Sequence, residues 1–281
     1  MTMTELREAF RLLRRIPLLW IPGIVGGLLA GALWLVLMFS GIFFAGRLLI
    51  ISALALLFFI TGSLTLIKND GGDIRSMLAG GRQYYFRVLL PLLVVTFMIV
   101  LVFVLVVLTL TLIGTTPDPA LIVFLTFGVT IPSILFTFFA GTAAVFEDRK
   151  VFDSIQRSIE LVTDNFIRAV IFFLTCAFVS CAVIFTLMVI WEALLYSRLE
   201  PLTRYTEAQL QAFTPDQLLA LIGTDGIWVT AVILVIAGLV LVPVIVSYQA
   251  CFFRKLAAEG GTVEIRQESG EYDSKGRWYK Y

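Results

Sequence analysis

Six long apolar runs, separated by short segments that hold almost every charge, constrain this chain more than any other feature. A helix gains only about 1.5 Å per residue, so about 20 apolar residues are needed to cross a hydrocarbon core. Inside that core every backbone N–H and C=O must find its partner within the protein, which selects helices over irregular loops. Runs at approximately 18–38, 48–67, 88–113, 121–145, 169–194 and 227–252 meet the length. With 59% hydrophobic and 15% charged residues and a mean hydropathy of +0.97, the solvent for this chain is lipid. The expected fold class is therefore all-α, a polytopic transmembrane bundle of six helices. The boundary between the first two spans, around 39–47, is the least sharply marked. The apolar run after Arg15 is too long for the core of a signal peptide and reads as a retained first span.

Orientation follows from the basic residues, which are held on the cytoplasmic side of short loops. Of the 21 Lys and Arg, 18 fall in segments 1–16, 68–87, 146–168 and 253–281, and three in the alternate connectors. That alternation predicts both termini in the cytoplasm, in a multi-pass protein of the cell membrane. Three of the basic segments, at approximately 4–16, 73–87 and 151–166, precede odd-numbered spans and read as amphipathic elbow helices. In the third, Phe152, Ile155, Ile159, Val162 and Phe166 form an apolar stripe opposite Asp153, Gln156, Arg157, Glu160 and Asp164. The stripe is expected among acyl chains, with the charged face in water. Three units of elbow plus helical hairpin follow from this pattern, although basic amphipathic character alone is also what any juxtamembrane segment shows. Residues 1–258 form the transmembrane domain. The polar tail, 259–281, cannot build a core and is expected to be flexible.

The segment from Ala144 to Val162, in which an apolar span runs into Glu147-Asp-Arg-Lys150 and then a Ser154-x-x-x-Ser158 elbow, resembles a large group of uncharacterised six-span prokaryotic membrane proteins. That group is especially common in archaea and is similar to the membrane domain attached to some glycerophosphodiester phosphodiesterases. The opening Ala9 to Pro17 is similar too. The resemblance implies the layout and brings no catalytic residue; the histidines of phosphodiesterase chemistry are missing, so that activity is not carried over.

Within the first span Gly23, Gly27 and Gly31 recur every four residues, a spacing that lets two helix backbones approach closely. The face reads as packing against another span of the same chain, with a homo-oligomer interface as the alternative. The fourth span carries Thr126, Thr130, Ser133 and Thr137 on one face beside Pro132, which interrupts the backbone ladder. Such a stripe either lines a hydrated pathway or packs against neighbours while each hydroxyl bonds back to its own helix. Pro91 is read as lying in the first turn of the third span, where proline costs little. Glu192 lies about 24 residues, or roughly 36 Å, beyond Arg168, which places it at the outer interface beside Trp191. The outer connector, 203–223, reads as a helical cap, with starts at Thr206 with Gln209 and at Thr214 with Gln217, and a stop at Gly223.

A net charge of +1 excludes the footprint of a nucleic-acid binder. Histidine is absent, the three cysteines carry no framework spacing, and no phosphate-binding, dinucleotide, HExxH or GxSxG motif occurs. No catalytic, cofactor-binding or metal-ligating residue is assigned, and an enzyme is the least supported class. Two classes stand. The first is a membrane scaffold or partner subunit. The alternative is a transport or lipid-handling component whose pathway follows the polar face of the fourth span.

Overall fold

A computed structural model describes residues 2–114, 119–206, 213–259, 270–272 and 278–280. Its helices are α1 (Thr2–Arg15), α2 (Ile21–Ser40), α3 (Ile42–Lys68), α4 (Ile74–Leu112), α5 (Pro119–Thr137), α6 (Ala140–Phe146), α7 (Val151–Asp164), α8 (Phe166–Leu194), α9 (Tyr196–Leu199) and α10 (Pro215–Glu259). Short 3₁₀ turns at Pro17–Trp20 and Glu200–Arg204 connect them. Six stretches are long and apolar enough to span a membrane: Pro17–Ser40, Ile42–Lys68, Ile74–Leu112, Ala120–Phe146, Phe166–Leu194 and Gln217–Ala258. The chain is a polytopic transmembrane bundle of six helices.

Local chemistry sets the boundaries. Gly41, at φ 82° and ψ 175°, separates the first two spans, a backbone conformation that side chains resist. Asp73 caps α4, its Oδ1 accepting from Ser76 N at 3.0 Å. Thr214 and Gln217 form a reciprocal capping box, with Gln217 N donating to Thr214 Oγ1 at 3.3 Å and Thr214 N donating to Gln217 Oε1 at 2.9 Å. The expected start at Thr206 depends on Gln209, which lies outside the described residues.

Two expected boundaries differ. The elbow at 73–87 and the span at 88–113 are one continuous helix, α4. Gly80 and Gly81 do not stop it, because both are buried against α3: a Cβ on Gly80 would stand 2.5 Å from Thr65 Cγ2. Pro91 consequently lies deep inside α4 and not in a first turn. The outer cap and the sixth span also run together as α10, interrupted only at Gly223, where φ is 63° and ψ −166°. In the tail, Gly270–Tyr272 pairs antiparallel with Trp278–Lys280, and 260–269 and 273–277 lie outside the described residues.

The glycine face meets the sixth span. A Cβ on Gly23 would stand 2.4 Å from Leu239 O, one on Gly27 2.3 Å from Val235 O, and one on Gly31 2.7 Å from Val235 Cγ2. The descending register makes α2 and α10 antiparallel neighbours, so the first and last spans close the bundle. Gly23, Gly27 and Gly31 are all buried by this contact.

Burial is concentrated at one end, where the basic segments gather. Leu13, Leu66, Ile67, Met77, Val145, Val162, Phe172, Phe253 and Leu256 are almost fully enclosed there. Arg254 pairs with Asp70 at 3.0 Å, and Lys255 donates to Glu5 on α1. Toward the far end, Phe97, Leu112, Phe124 and Phe178 are exposed, as expected of side chains whose solvent is acyl chain and not water.

Candidate functional site

The fourth span is broken. The apolar run at 121–145 predicts one helix, yet α5 ends at Thr137 and α6 begins at Ala140, leaving Phe138 and Phe139 in a turn within apolar surroundings. Pro132 does not cause it, since α5 continues through that residue. Backbone groups at such a break must be satisfied from elsewhere in the protein. Ser158 of α7 donates to Phe136 O at 2.7 Å and accepts from Phe139 N at 3.1 Å. Gln249 of α10 donates through Nε2 to Phe138 O at 3.0 Å. Three backbone groups at the break, one in the last turn of α5 and two in the turn itself, are thus held by two side chains from other helices. Aromatic rings wedge it further: Phe138 lies 5.1 Å from Phe173, and Phe172 stacks on Phe252 at 4.6 Å between centroids.

Ser158 could sit there because the face that α7 buries in the protein is not its apolar stripe but the one beside it. Ser154, Arg157, Ser158, Leu161 and Val162 are buried, while Phe152, Ile159 and Phe166 are exposed. The small serines admit the crossing of α6, and Val162 goes inward with them. Arg157, expected in water, is instead 9% exposed. It pairs with Glu147 at 3.2 Å and approaches Glu160 at 3.9 Å, which compensates its loss of solvent.

Beside the break lies a cavity of about 510 Å³, walled by α3, α4, α5, α6 and α10. Its walls are mostly Leu, Ile and Val, such as Leu57, Ile60, Val88, Val95, Ile99 and Ile134, with Pro91, Phe138 and Gly141. The polar contributions are Thr96, Thr130, Thr137, Thr142 and Gln249, and among the described residues no charged one lines it. A second groove of about 490 Å³, against α7, shares the wall made by Val95, Ile99 and Thr137.

The threonine and serine face of the fourth span divides between these spaces. Thr126, Ser133 and Thr137 bond back to Ile122 O, Val129 O and Ser133 O at 2.7, 2.7 and 2.6 Å. Ser133 borders the second groove, Thr137 borders both, and Pro132 is exposed. Thr130 lines the main cavity. Thr142, fully buried, also lines it, and its hydroxyl has no hydrogen-bond partner among the described residues. Sequence reasoning read Ser158 only as part of the elbow motif and passed over Thr142 and Gln249. A signal for the last existed: Gln249 is the one amide side chain in the six expected spans, and such a group in lipid needs a partner.

A family model described as a domain of unknown function (DUF7847) matches residues 3–256. The chain belongs to this family. No curated protein and no solved structure matches it. The DUF7847 match runs from α1 into the last turn of α10, so the broken span and its cavity lie wholly within the family domain.

At the basic end of this DUF7847 domain, a charged cluster floors the bundle just beyond α6. Lys68 Nζ donates to Val145 O and to Asp148 Oδ2, both at 2.7 Å. The Tyr84 hydroxyl donates to Asp148 Oδ1, and Arg87 Nη1 reaches Asp148 O at 3.3 Å. Asp148 adopts φ 53° to receive them. The Lys68 ammonium, followed by the Tyr84 hydroxyl, holds its carboxyl below the usual carboxylate range. Among the described residues no group of three or more His, Cys, Asp and Glu is placed to hold a metal. What the cavity offers chemically is apolar contact along its length and hydrogen bonding to an uncharged group.

Proposed function

We propose that this chain is a lipid-handling component of the cell membrane, its basic end and both termini facing the cytoplasm, which takes a membrane-dissolved amphiphile into the cavity beside the broken fourth span. The discontinuity of that span carries the reading. Irregular backbone at membrane depth is tolerated only where protein buries it or where it borders a cavity, and transporter sites are built at such breaks. Here Phe138 belongs both to the break and to the cavity wall. The volume falls within the range of about 300–1,000 Å³ common to small-molecule sites. Uncharged walls argue against an ion-coupled carrier, which places acids near the midplane. The scaffold or partner-subunit reading draws instead on the exposed Arg7, Arg11 and Arg14 of α1; the same residues suit anionic headgroups.

Native mass spectrometry of the gently extracted chain tests the proposal against Ile99→Trp, which fills the wall shared by both spaces. The wild type is expected to retain a stoichiometric amphiphile, and a monodisperse Ile99→Trp protein to lose it. A wild type without an adduct, or an adduct held equally by the variant, overturns the reading.

A further inference from the structure

We infer that the occupant is an elongated, uncharged amphiphile with a hydroxyl or carbonyl group at its polar end, bound with that group between Thr142 and Gln249. The inference rests on the lipid-handling reading and specifies its ligand.

Length comes from register. On α4 the cavity wall extends from Val88 to Val100, and twelve residues of helix advance about 18 Å. Such a space suits a chain lying along the helix better than a compact ring system. Charge is decided by the walls and by the floor. Among the described residues no Asp, Glu, Lys or Arg lines the cavity, so an ammonium, carboxylate or phosphate drawn into it would lie unpaired in a low-dielectric setting. The nearest cluster cannot supply a counter-charge cheaply, because Lys68 and Arg87 are already engaged with Asp148.

Polar recognition comes from Thr142. The hydroxyls of Thr96 and Thr137, also in the wall, bond back to Leu92 O and Ser133 O, which is how a threonine in lipid ordinarily satisfies itself. Thr142 is fully buried and its hydroxyl makes no such bond. It stands on α6, immediately past the break, with Gln249 in the same wall. A hydroxyl can donate and accept, and the Gln249 amide has a carbonyl oxygen besides the Nε2 that holds Phe138 O. Together they match a ligand group that both accepts and donates, or accepts alone. A long-chain or isoprenoid alcohol and a neutral acylglycerol fit. The tail of an ordinary phospholipid would satisfy the apolar wall and leave Thr142 unanswered.

The test uses the full chain in nanodiscs with three photoreactive probes of equal chain length: an alcohol, the corresponding fatty acid and a phosphatidylcholine bearing the same tail. The alcohol is expected to label the α4 and α5 walls in preference to the other two. Thr142→Val is expected to cut its labelling about tenfold, the ratio that one lost hydrogen bond of ordinary strength gives, while phospholipid-tail labelling holds. Thr142→Ser keeps a hydroxyl and should keep the preference; Thr142→Ala, which removes the hydroxyl and adds no bulk, carries the test if the valine variant fails to fold. Equal labelling by all three probes, or an alcohol preference untouched in Thr142→Val, overturns the inference. If the phospholipid tail labels the wall and Ile99→Trp abolishes it without any alcohol preference, this inference falls and the lipid-handling reading stands. If no probe labels the wall, both fall.

Discussion

Ser158 shows how much one residue can decide in lipid. A soluble protein could leave Phe136 O and Phe139 N to water; at the turn of a membrane span there is none, and one hydroxyl serves both. Ser158→Ala orphans a carbonyl and an amide. A loss of about 1–3 kcal/mol is expected, visible as a lower thermal midpoint in detergent. The same change at exposed Ser40 should leave the midpoint in place. An unaltered midpoint for Ser158→Ala would mean that the turn is not held from α7. Gln249 acts in parallel on Phe138 O, so the two substitutions together should cost more than either alone.

Among elements, α2 and α10 approach so closely that glycine backbone meets backbone. Helices in a bilayer gain little from the hydrophobic effect against one another and associate through backbone proximity and packing, which is why the glycines face Val235 and Leu239 with no room for a side chain. Gly27→Leu should separate the first and last spans and abolish monodisperse elution. Gly128→Ala on α5, where a Cβ meets nothing within 4 Å, should be tolerated. Equal behaviour of the two would remove the α2 and α10 contact as the closure of the bundle. A second device recurs at the basic end. Asp70 and Asp148 follow the second and fourth spans, both at φ 53°, and each leads into a helix that buries small residues: Gly80 and Gly81 in α4, Ser154 and Ser158 in α7. α1 does the same against α10, burying Ala9 between Glu5 and Leu13. The elbows are thus docking helices for the ends of even-numbered spans, with only part of their apolar surface left for lipid.

Across the whole molecule, burial is concentrated at the basic end and Asp148 is its junction, since Lys68, Tyr84 and Arg87 reach it from α3 and α4. Its carboxyl is held below the ordinary aspartate range. A carboxyl depressed on folding contributes stability above its unfolded value and loses it as pH falls through the lower folded one. The chain has no histidine, the side chain that ordinarily titrates between pH 5 and 8. Stability is therefore expected to be flat across that range. Asp148→Asn should cost about 1 kcal/mol at neutral pH, solvent screening of this half-exposed cluster keeping the figure small. The difference from wild type should vanish in strong acid. A difference that changes between pH 5 and 8 would show that another group governs the junction.

The sequence by itself determined that this is a six-helix membrane bundle, because in lipid the pairing of backbone groups is a local matter and about 20 apolar residues suffice to announce it. The spacing of Gly23, Gly27 and Gly31 likewise announced a close helix contact. Which helix fills that face was decided by tertiary structure. So were the break at Phe138 and Phe139, the inward turn of Arg157 and the cavity itself. Each depends on partners remote in the chain: Ser158 is 19 residues from Phe139, Gln249 is 111 from Phe138, and Lys68 is 80 from Asp148. Hydropathy cannot register a carbonyl rescued by a distant side chain, since the residues flanking the break are as apolar as those of an unbroken span.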